Sequence, residues 1–287
     1  MTANAKDSGT FTLGGDLTIN RLGFGAMRIT GQGIWGEPKD PAEARRLLRR
    51  VVELGINFID TADSYGPEIS ERLIGEALYP YPKDLVIATK GGLTRQGPGK
   101  WLPVGRPEYL TQCVHMSLRR LRLERIDLYQ LHRIDEKVPV EESLGALTDL
   151  QKAGKIRHIG LSEVSVDEME RARKSATIVS VQNRYNIGER QHDPVLQYCE
   201  KNRLGFIPWF PVAAGKLVAP GGPLEASAKR YNVTVAQLSI AWLLQRSPAM
   251  LPIPGTSSVK HLEENVAAAD VKLSKQEWEE IEQAVRK

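Results

Sequence analysis

Cysteine is scarce in this chain: Cys113 and Cys199 are the only two among 287 residues. Two thiols so far apart build neither a disulfide framework nor a thiolate metal site, so both read as reduced, buried side chains. Long apolar runs are missing too. No stretch reaches the ~18 apolar residues of a membrane span, and Met1 to Thr10 has no apolar signal core. Asn232-Val233-Thr234 has the form of a glycosylation acceptor, which carries no weight without a secretion signal. The cytoplasm is the expected compartment, and no membrane partner is expected. Charge of one sign is also lacking: 39 Lys and Arg stand against 35 Asp and Glu, a formal net charge of +4. Neither cation forms a long basic tract, so nucleic acid is not an expected partner. The small positive excess suits an anionic ligand.

Several chemical signatures are absent. Gly23-Phe24-Gly25 opens like a dinucleotide fingerprint, but Met27 and Arg28 follow where a spacer and a glycine belong. There is no phosphate-binding P-loop, zinc-protease helix or serine-hydrolase elbow, and no metal is expected. No repeat, low-complexity segment or interdomain linker divides the chain. The expectation is one domain over residues 1–287, within the range of a single α/β barrel.

What is present is an alternation. Eight short apolar runs read as strands: Leu22–Ala26, Asn57–Asp60, Leu85–Thr89, Ile126–Leu131, Ile156–Leu161, Ile178–Gln182, Gly205–Phe210 and Met250–Pro254. Most are unbroken, as strands buried on both faces of a parallel sheet are. Amphipathic stretches lie between them, at Pro41–Leu54, Ile69–Leu78, Pro107–Leu121, Val140–Ala153, Val166–Lys174, Asp193–Asn202 and Val259–Ala268. Gly55 serves as a stop for the first. The pattern predicts a (β/α)8 TIM barrel rather than an open sheet. Three pieces fall outside it. Thr10–Leu13 and Leu17–Asn20 form a hairpin around Gly14-Gly15-Asp16, suited to plugging the barrel bottom. Val235–Gln245 is an extra helix. Ser274–Arg286 is a terminal helix with Ser274 and Glu277 as a capping box.

In such a barrel, groups at strand C-termini converge on one mouth. Asp60, Lys90 and His132 end the second, third and fourth strands, and Tyr65 follows Asp60 on its loop. A tyrosine holds its proton near neutral pH, with a pKa of ~10. A neighbouring ammonium, Lys90, stabilises the phenolate and eases proton donation. Asp60 can keep a buried Lys90 charged, and His132 can orient a carbonyl oxygen or assist proton transfer. Singly, each has an ordinary structural explanation: a cap, a solvated loop charge, a satisfied strand-end histidine. Their joint placement at one rim points to proton donation to a carbonyl oxygen. A Schiff base on Lys90 is a competing reading of the same rim.

The quoted motifs resemble the aldo-keto reductase family from roughly Leu22 to Val271. Phe58-Ile59-Asp60-Thr61-Ala62 with Tyr65-Gly66 and Glu71 looks like its first signature. Arg125-Ile126-Asp127-Leu128-Tyr129-Gln130-Leu131-His132 is similar to the second. Gly154 to Ser162 resembles the fifth-strand motif, and Ile253-Pro254-Gly255-Thr256 through Glu264-Asn265 the cofactor motif. The resemblance implies a catalytic tetrad of Asp60, Tyr65, Lys90 and His132, with Tyr65 as proton donor. It also implies an extended NADPH/NADP+ cofactor in preference to NADH.

By the same resemblance, Gly25 lets backbone approach the cofactor, Asp60 also touches it, and Ser162 and Gln182 hold its carboxamide. Trp209 stacks on the nicotinamide. Phe210, Val212, Gly215, Lys216 and Leu217 line a pyrophosphate loop. Gly255, Thr256, Ser257, Lys260 and His261 approach the adenosine phosphate, and Glu264 and Asn265 the adenine. The chain departs from the family pattern at Glu163, where Asn is common, at Gly255, where some relatives carry Lys, and at His261, where Arg is frequent. Trp35 and Trp101, on the loops Thr30–Lys39 and Gly91–Gly105, are the candidate substrate-binding aromatics. The substrate would be a small carbonyl compound, including aromatic or pyridoxal-like aldehydes, and the enzyme a monomer. A cofactor-sensing binding subunit is the alternative class. It would hold NADPH without turnover.

Overall fold

The computed structural model describes residues 3–212 and 221–286. Seven parallel strands form a nearly closed barrel: β3 (Phe24–Gly25), β4 (Phe58–Asp60), β5 (Val86–Gly91), β8 (Ile126–Leu131), β9 (Ile156–Ser162), β10 (Ile178–Arg184) and β11 (Gly205–Trp209). They are hydrogen-bonded in that order. The first two strands of the chain, β1 (Thr10–Leu13) and β2 (Leu17–Asn20), make the expected antiparallel hairpin.

The eighth predicted strand, Met250–Pro254, is not a regular strand. It occupies the gap between β11 and β3 all the same. Leu251 N donates to Phe206 O at 2.8 Å, and Gly23 N donates to Pro252 O at 2.9 Å. Pro252 and Pro254 lack the N–H groups a continuous ladder requires, so closure rests on a few bonds.

Helices alternate with the strands on the outside: α1 (Pro41–Glu53), α2 (Ile69–Leu78), α3 (Pro107–Leu121), α4 (Val140–Lys152), α5 (Val166–Ala172) and α6 (Asp193–Asn202). The local reasons are plain in α1. Asp40 accepts from the amides of Ala42 and Glu43, and Pro41 opens the first turn. Ala44, Leu47, Leu48 and Val51 fall on one buried face, the spacing of an amphipathic helix. Gly55 then takes a φ of 79°, the left-handed conformation that ends helices. The chain continues through α7 (Glu225–Arg230), which the sequence pattern does not predict, and the expected α8 (Val235–Arg246), α9 (Val259–Ala267) and α10 (Lys275–Arg286). Ser274 and Glu277 cap α10 reciprocally, at 2.7 and 3.3 Å.

Inside the barrel, Phe58, Val86, Ala88, Leu128, Val179 and Ile207 pack with Leu13, Leu17 and Ile19 of the hairpin. The hairpin thus fills the N-terminal end of the barrel. Side chains of one strand face share a period of two. Two residues beyond Phe58, Ala88, Leu128 and Ser180, the inward position is Asp60, Lys90, Gln130 and Gln182. The apolar interior therefore changes to a polar layer at the C-terminal mouth.

Candidate active site

Lys90 is fully buried, and all three of its ammonium donors are used. Its Nζ donates to Asp60 Oδ2 at 2.5 Å, Thr61 O at 2.8 Å and Tyr65 Oη at 3.2 Å. The other Asp60 oxygen accepts from Gln182 Nε2 at 2.7 Å and Gln130 Nε2 at 3.0 Å. Gln130 lies on the inward face of β8 two residues before His132. It is part of this layer although no motif singles it out. Lys90 lies within β5, which runs on to Gly91, one strand residue deeper than its predicted place at the strand end.

His132 is buried beside Tyr65, with ring centroids 5.9 Å apart in an edge-on arrangement. Its Nδ1 is 3.3 Å from Ser64 Oγ. Burial first, and then the charges of Lys90 and Arg133, hold its pKa well below the usual histidine range, so the imidazole is neutral at physiological pH. Tyr65 differs from the expectation. Lys90 does pull its pKa down, but burial acts more strongly, and the net direction is up. The phenol keeps its proton in the resting site. Burial alone would lower Lys90, but Asp60 and Tyr65 together raise its pKa.

Above this layer opens a cavity of about 620 Å³. Tyr65, His132, Asp60, Ser162 and Gln182 meet its floor, while Trp101, Trp209, Phe210 and Val212 contribute walls. Gly25 and Gly255 line one end. A side chain on Gly255 would fall 2.5 Å from Gly25 O, and one on Gly25 would fall 2.6 Å from Ile253 O. These two glycines therefore let the closing segment cross the end of β3. Gly215, Lys216 and Leu217 lie outside the described residues.

The remaining predicted positions divide. Thr256 and Asn265 are buried, and Thr256 Oγ1 accepts from Ser258 N at 3.1 Å. Ser257, Lys260 and His261 are exposed around the start of α9, and Glu264 is half-buried. None of these six borders the cavity. Trp101 does, whereas Trp35 does not. Trp35 instead pairs through a β-bridge with Gly66, and the Arg95 guanidinium lies over both indole rings, 5.4 Å from Trp35 and 3.6 Å from Trp101. Arg95 also donates to Ile34 O and Ser64 O, each at 2.8 Å. The loop around Trp101 is itself a hairpin, β6 (Leu93–Arg95) with β7 (Trp101–Pro103). Arg95 thus ties three loops together on the tetrad side.

Two cations of the cavity wall escape the motif reading, Arg28 and Arg133. Adjacency was the available signal, since Arg133 follows His132 and Arg28 follows the Gly25 turn. Arg133 Nη1 donates to His132 O at 2.6 Å and Ser162 Oγ at 3.0 Å. Glu163, which stands where Asn is common, has a φ of 55°. Its Oε1 accepts from Trp209 Nε1 and Arg184 N, each at 2.6 Å. Phe210 has a φ of 59°. Bulky residues rarely adopt this backbone; Phe210 lines the cavity, and Glu163 directly follows the lining residue Ser162.

A buried tyrosine, lysine, aspartate and neutral histidine under an apolar cavity at a barrel mouth can protonate a carbonyl oxygen. Among the described residues, no group of three His, Cys, Asp or Glu could hold a metal ion, and no helix is long and apolar enough to cross a membrane. The aldo/keto reductase family model matches residues 21–286, so the chain belongs to the aldo/keto reductase family. It is 53% identical over 98% of its length to an uncharacterised oxidoreductase of Schizosaccharomyces pombe, covering 91% of that protein. It is 43% identical to pyridoxine 4-dehydrogenase of Escherichia coli, with 94% of this chain and 96% of that one covered. An aldo-keto reductase of S. pombe named for NADP(+) is 33% identical, over 94% and 89% of the two chains. A thermostable aldo-keto reductase solved with the inhibitor epalrestat superimposes with a TM-score of 0.84 at 30% identity, covering 96% of this chain and 99% of that one.

Proposed function

We propose that this protein reduces an aldehyde or ketone to an alcohol with NADPH, within the single domain of residues 1–287. The observation that carries the reading is Lys90, which touches both Asp60 and Tyr65 beneath the cavity floor. Tyr65 is the proton donor. Its phenol is protonated at rest, and Lys90 stands ready to stabilise the phenolate as the proton leaves. Asp60 holds Lys90 charged and is itself held by Gln130 and Gln182. His132, neutral and next to Tyr65, orients the carbonyl oxygen. Trp101 lies on the substrate side of the cavity and Trp35 braces it through Arg95.

A nicotinamide cofactor fits the rest. The cavity wall mixes aromatic Trp209 and Phe210 with the cation of Arg28. Ser162 and Gln182 would hold the carboxamide, Trp209 would face the ring, and Lys260 with Thr256 and Ser257 would meet the 2′-phosphate. When bound, the nicotinamide supplies the hydride that no side chain can supply. A relative named for NADP(+) supports the choice of NADPH. The relative named for pyridoxine, an aromatic alcohol, supports an aromatic or pyridoxal-like aldehyde as substrate.

The test is consumption of NADPH and, in parallel, NADH over a panel of aldehydes and ketones that includes pyridoxal. Turnover with NADPH is expected. Tight NADPH binding without turnover on any carbonyl would favour a sensing subunit instead.

A further inference from the structure

Among the described residues, Arg133 is a cation both held in place beside the tetrad and left without an ion pair. It is half-buried and lines the same cavity as Tyr65 and His132. Its two hydrogen bonds, to His132 O and Ser162 Oγ, come from a single nitrogen, Nη1. They fix the guanidinium but bring it no negative charge. Among the described residues Arg133 forms no ion pair. Glu163 is near enough to attract it, yet the Glu163 carboxylate is turned to Trp209 and to the backbone of Arg184. The other acid at the cavity floor, Asp60, is taken by Lys90 and two glutamines.

A partly desolvated guanidinium without a partner is costly, and it also pulls the Tyr65 pKa down and helps hold His132 neutral. Arginine presents a planar fork of donors suited to a carboxylate or other oxyanion. The rest of the cavity around it is chiefly apolar: Leu93, Trp101, Pro103 and Phe210 offer no competing anion.

We infer that Arg133 is a substrate-recognition residue, and that the preferred substrate is a carbonyl compound bearing a negatively charged oxygen group on an aromatic or similarly apolar frame. The inference rests on the carbonyl-reductase reading and deepens it.

The experiment compares benzaldehyde with 3- and 4-carboxybenzaldehyde as substrates with NADPH, in the unmodified protein and in Arg133→Gln. At least one carboxylated isomer should exceed benzaldehyde in kcat/KM by about ten- to a hundredfold, the range of one charge-assisted hydrogen bond. Glutamine can still donate to Ser162, so any loss through that contact is common to all three substrates. The anionic-to-neutral ratio should nevertheless fall at least about tenfold. An unmodified protein that reduces benzaldehyde at least as well as both isomers overturns the inference, as does an unchanged ratio in the variant. Should Arg133→Gln fail to fold, salt decides the matter in the unmodified protein. KM for the favoured isomer must then rise with ionic strength while that for benzaldehyde stays level. A further arm needs no turnover. Benzoate and benzyl alcohol are titrated against tryptophan fluorescence, and benzoate should bind the more tightly. If no carbonyl is reduced, the reductase reading fails, and the benzoate arm still decides the anion site.

Discussion

The Lys90 ammonium and the Asp60 carboxylate meet at 2.5 Å with side-chain exposures of 0% and 2%. Neither charge has water to turn to, so each depends on the other. Removing the carboxylate leaves a buried cation among two amides and a backbone carbonyl. Asp60→Ala is expected to lower unfolding free energy by about 3–5 kcal/mol, the usual result of breaking a buried pair. Urea denaturation measures it. A loss below about 1 kcal/mol would mean that Lys90 reaches solvent or gives up its proton in the variant.

Tyr65→Phe keeps the ring against His132 and removes the hydroxyl 3.2 Å from Lys90. Cofactor affinity should persist while the rate of carbonyl reduction drops by about 10²- to 10⁴-fold, the range of general acid catalysis. Single-turnover kinetics isolates the chemical step. Near-normal reduction in that measurement would remove Tyr65 from the role of proton donor. Lys90→Met should also slow the step, because the strongest influence opposing the burial that raises the Tyr65 pKa is then lost.

Asp63 predicts a pH dependence of stability. It lies on the loop between Asp60 and Tyr65, and its Oδ1 has no hydrogen-bond partner among the described residues. Burial, followed by the nearby charge of Glu71, pushes its carboxyl up to about 7. The folded pKa is therefore above the unfolded value of ~3.9. The folded state holds this proton more firmly, so the group's contribution is full below about pH 4. It is lost as pH rises through about 7. Asp63→Asn has no such proton. From about pH 5 to 7, the stability of the variant relative to the unmodified protein should improve by roughly 1.4 kcal/mol per pH unit. A difference that stays constant with pH would place the Asp63 titration elsewhere.

The proposed NADPH preference can be tested at the cations near Gly255. Lys260 is 81% exposed, and its nearest acid, Glu264, is 3.9 Å away, so its charge is available to a 2′-phosphate. Ser258 caps α9 just before it, accepting from His261 N at 3.5 Å. Lys260→Ala should weaken NADPH binding about tenfold and leave NADH almost unchanged, by fluorescence titration of both. Arg28→Gln separates the two kinds of phosphate: loss for NADPH alone assigns Arg28 to the 2′-phosphate, and equal loss for both assigns it to the pyrophosphate. Equal affinity for both cofactors in the unmodified protein would contradict the NADPH preference.

The order of strands and helices was legible because apolar runs and amphipathic stretches alternate, and period and length are local properties. The same holds for the hairpin at Gly14-Gly15 and the capping box at Ser274. The exceptions also have local causes. Pro252 and Pro254 reduce the last strand to a few bonds, while β6 and β7, joined through Gly97-Pro98-Gly99, are only three residues each and too short to read as apolar runs. The candidate tetrad was legible too, since strand ends in a parallel barrel must share one rim.

What the chain alone could not reveal was the balance of opposing forces at that rim. Lys90 was expected to lower the Tyr65 pKa, and burial outweighs it, a result that depends on how much protein surrounds the phenol. Arg133 belongs to none of the motifs read from the sequence. It lacks an ion pair because the Glu163 carboxylate turns to Trp209, 46 residues away in sequence. Sequence by itself determined which groups line the mouth of the barrel. Tertiary structure decided which of their charges are already paired, because pairing depends on distances between residues far apart in the chain.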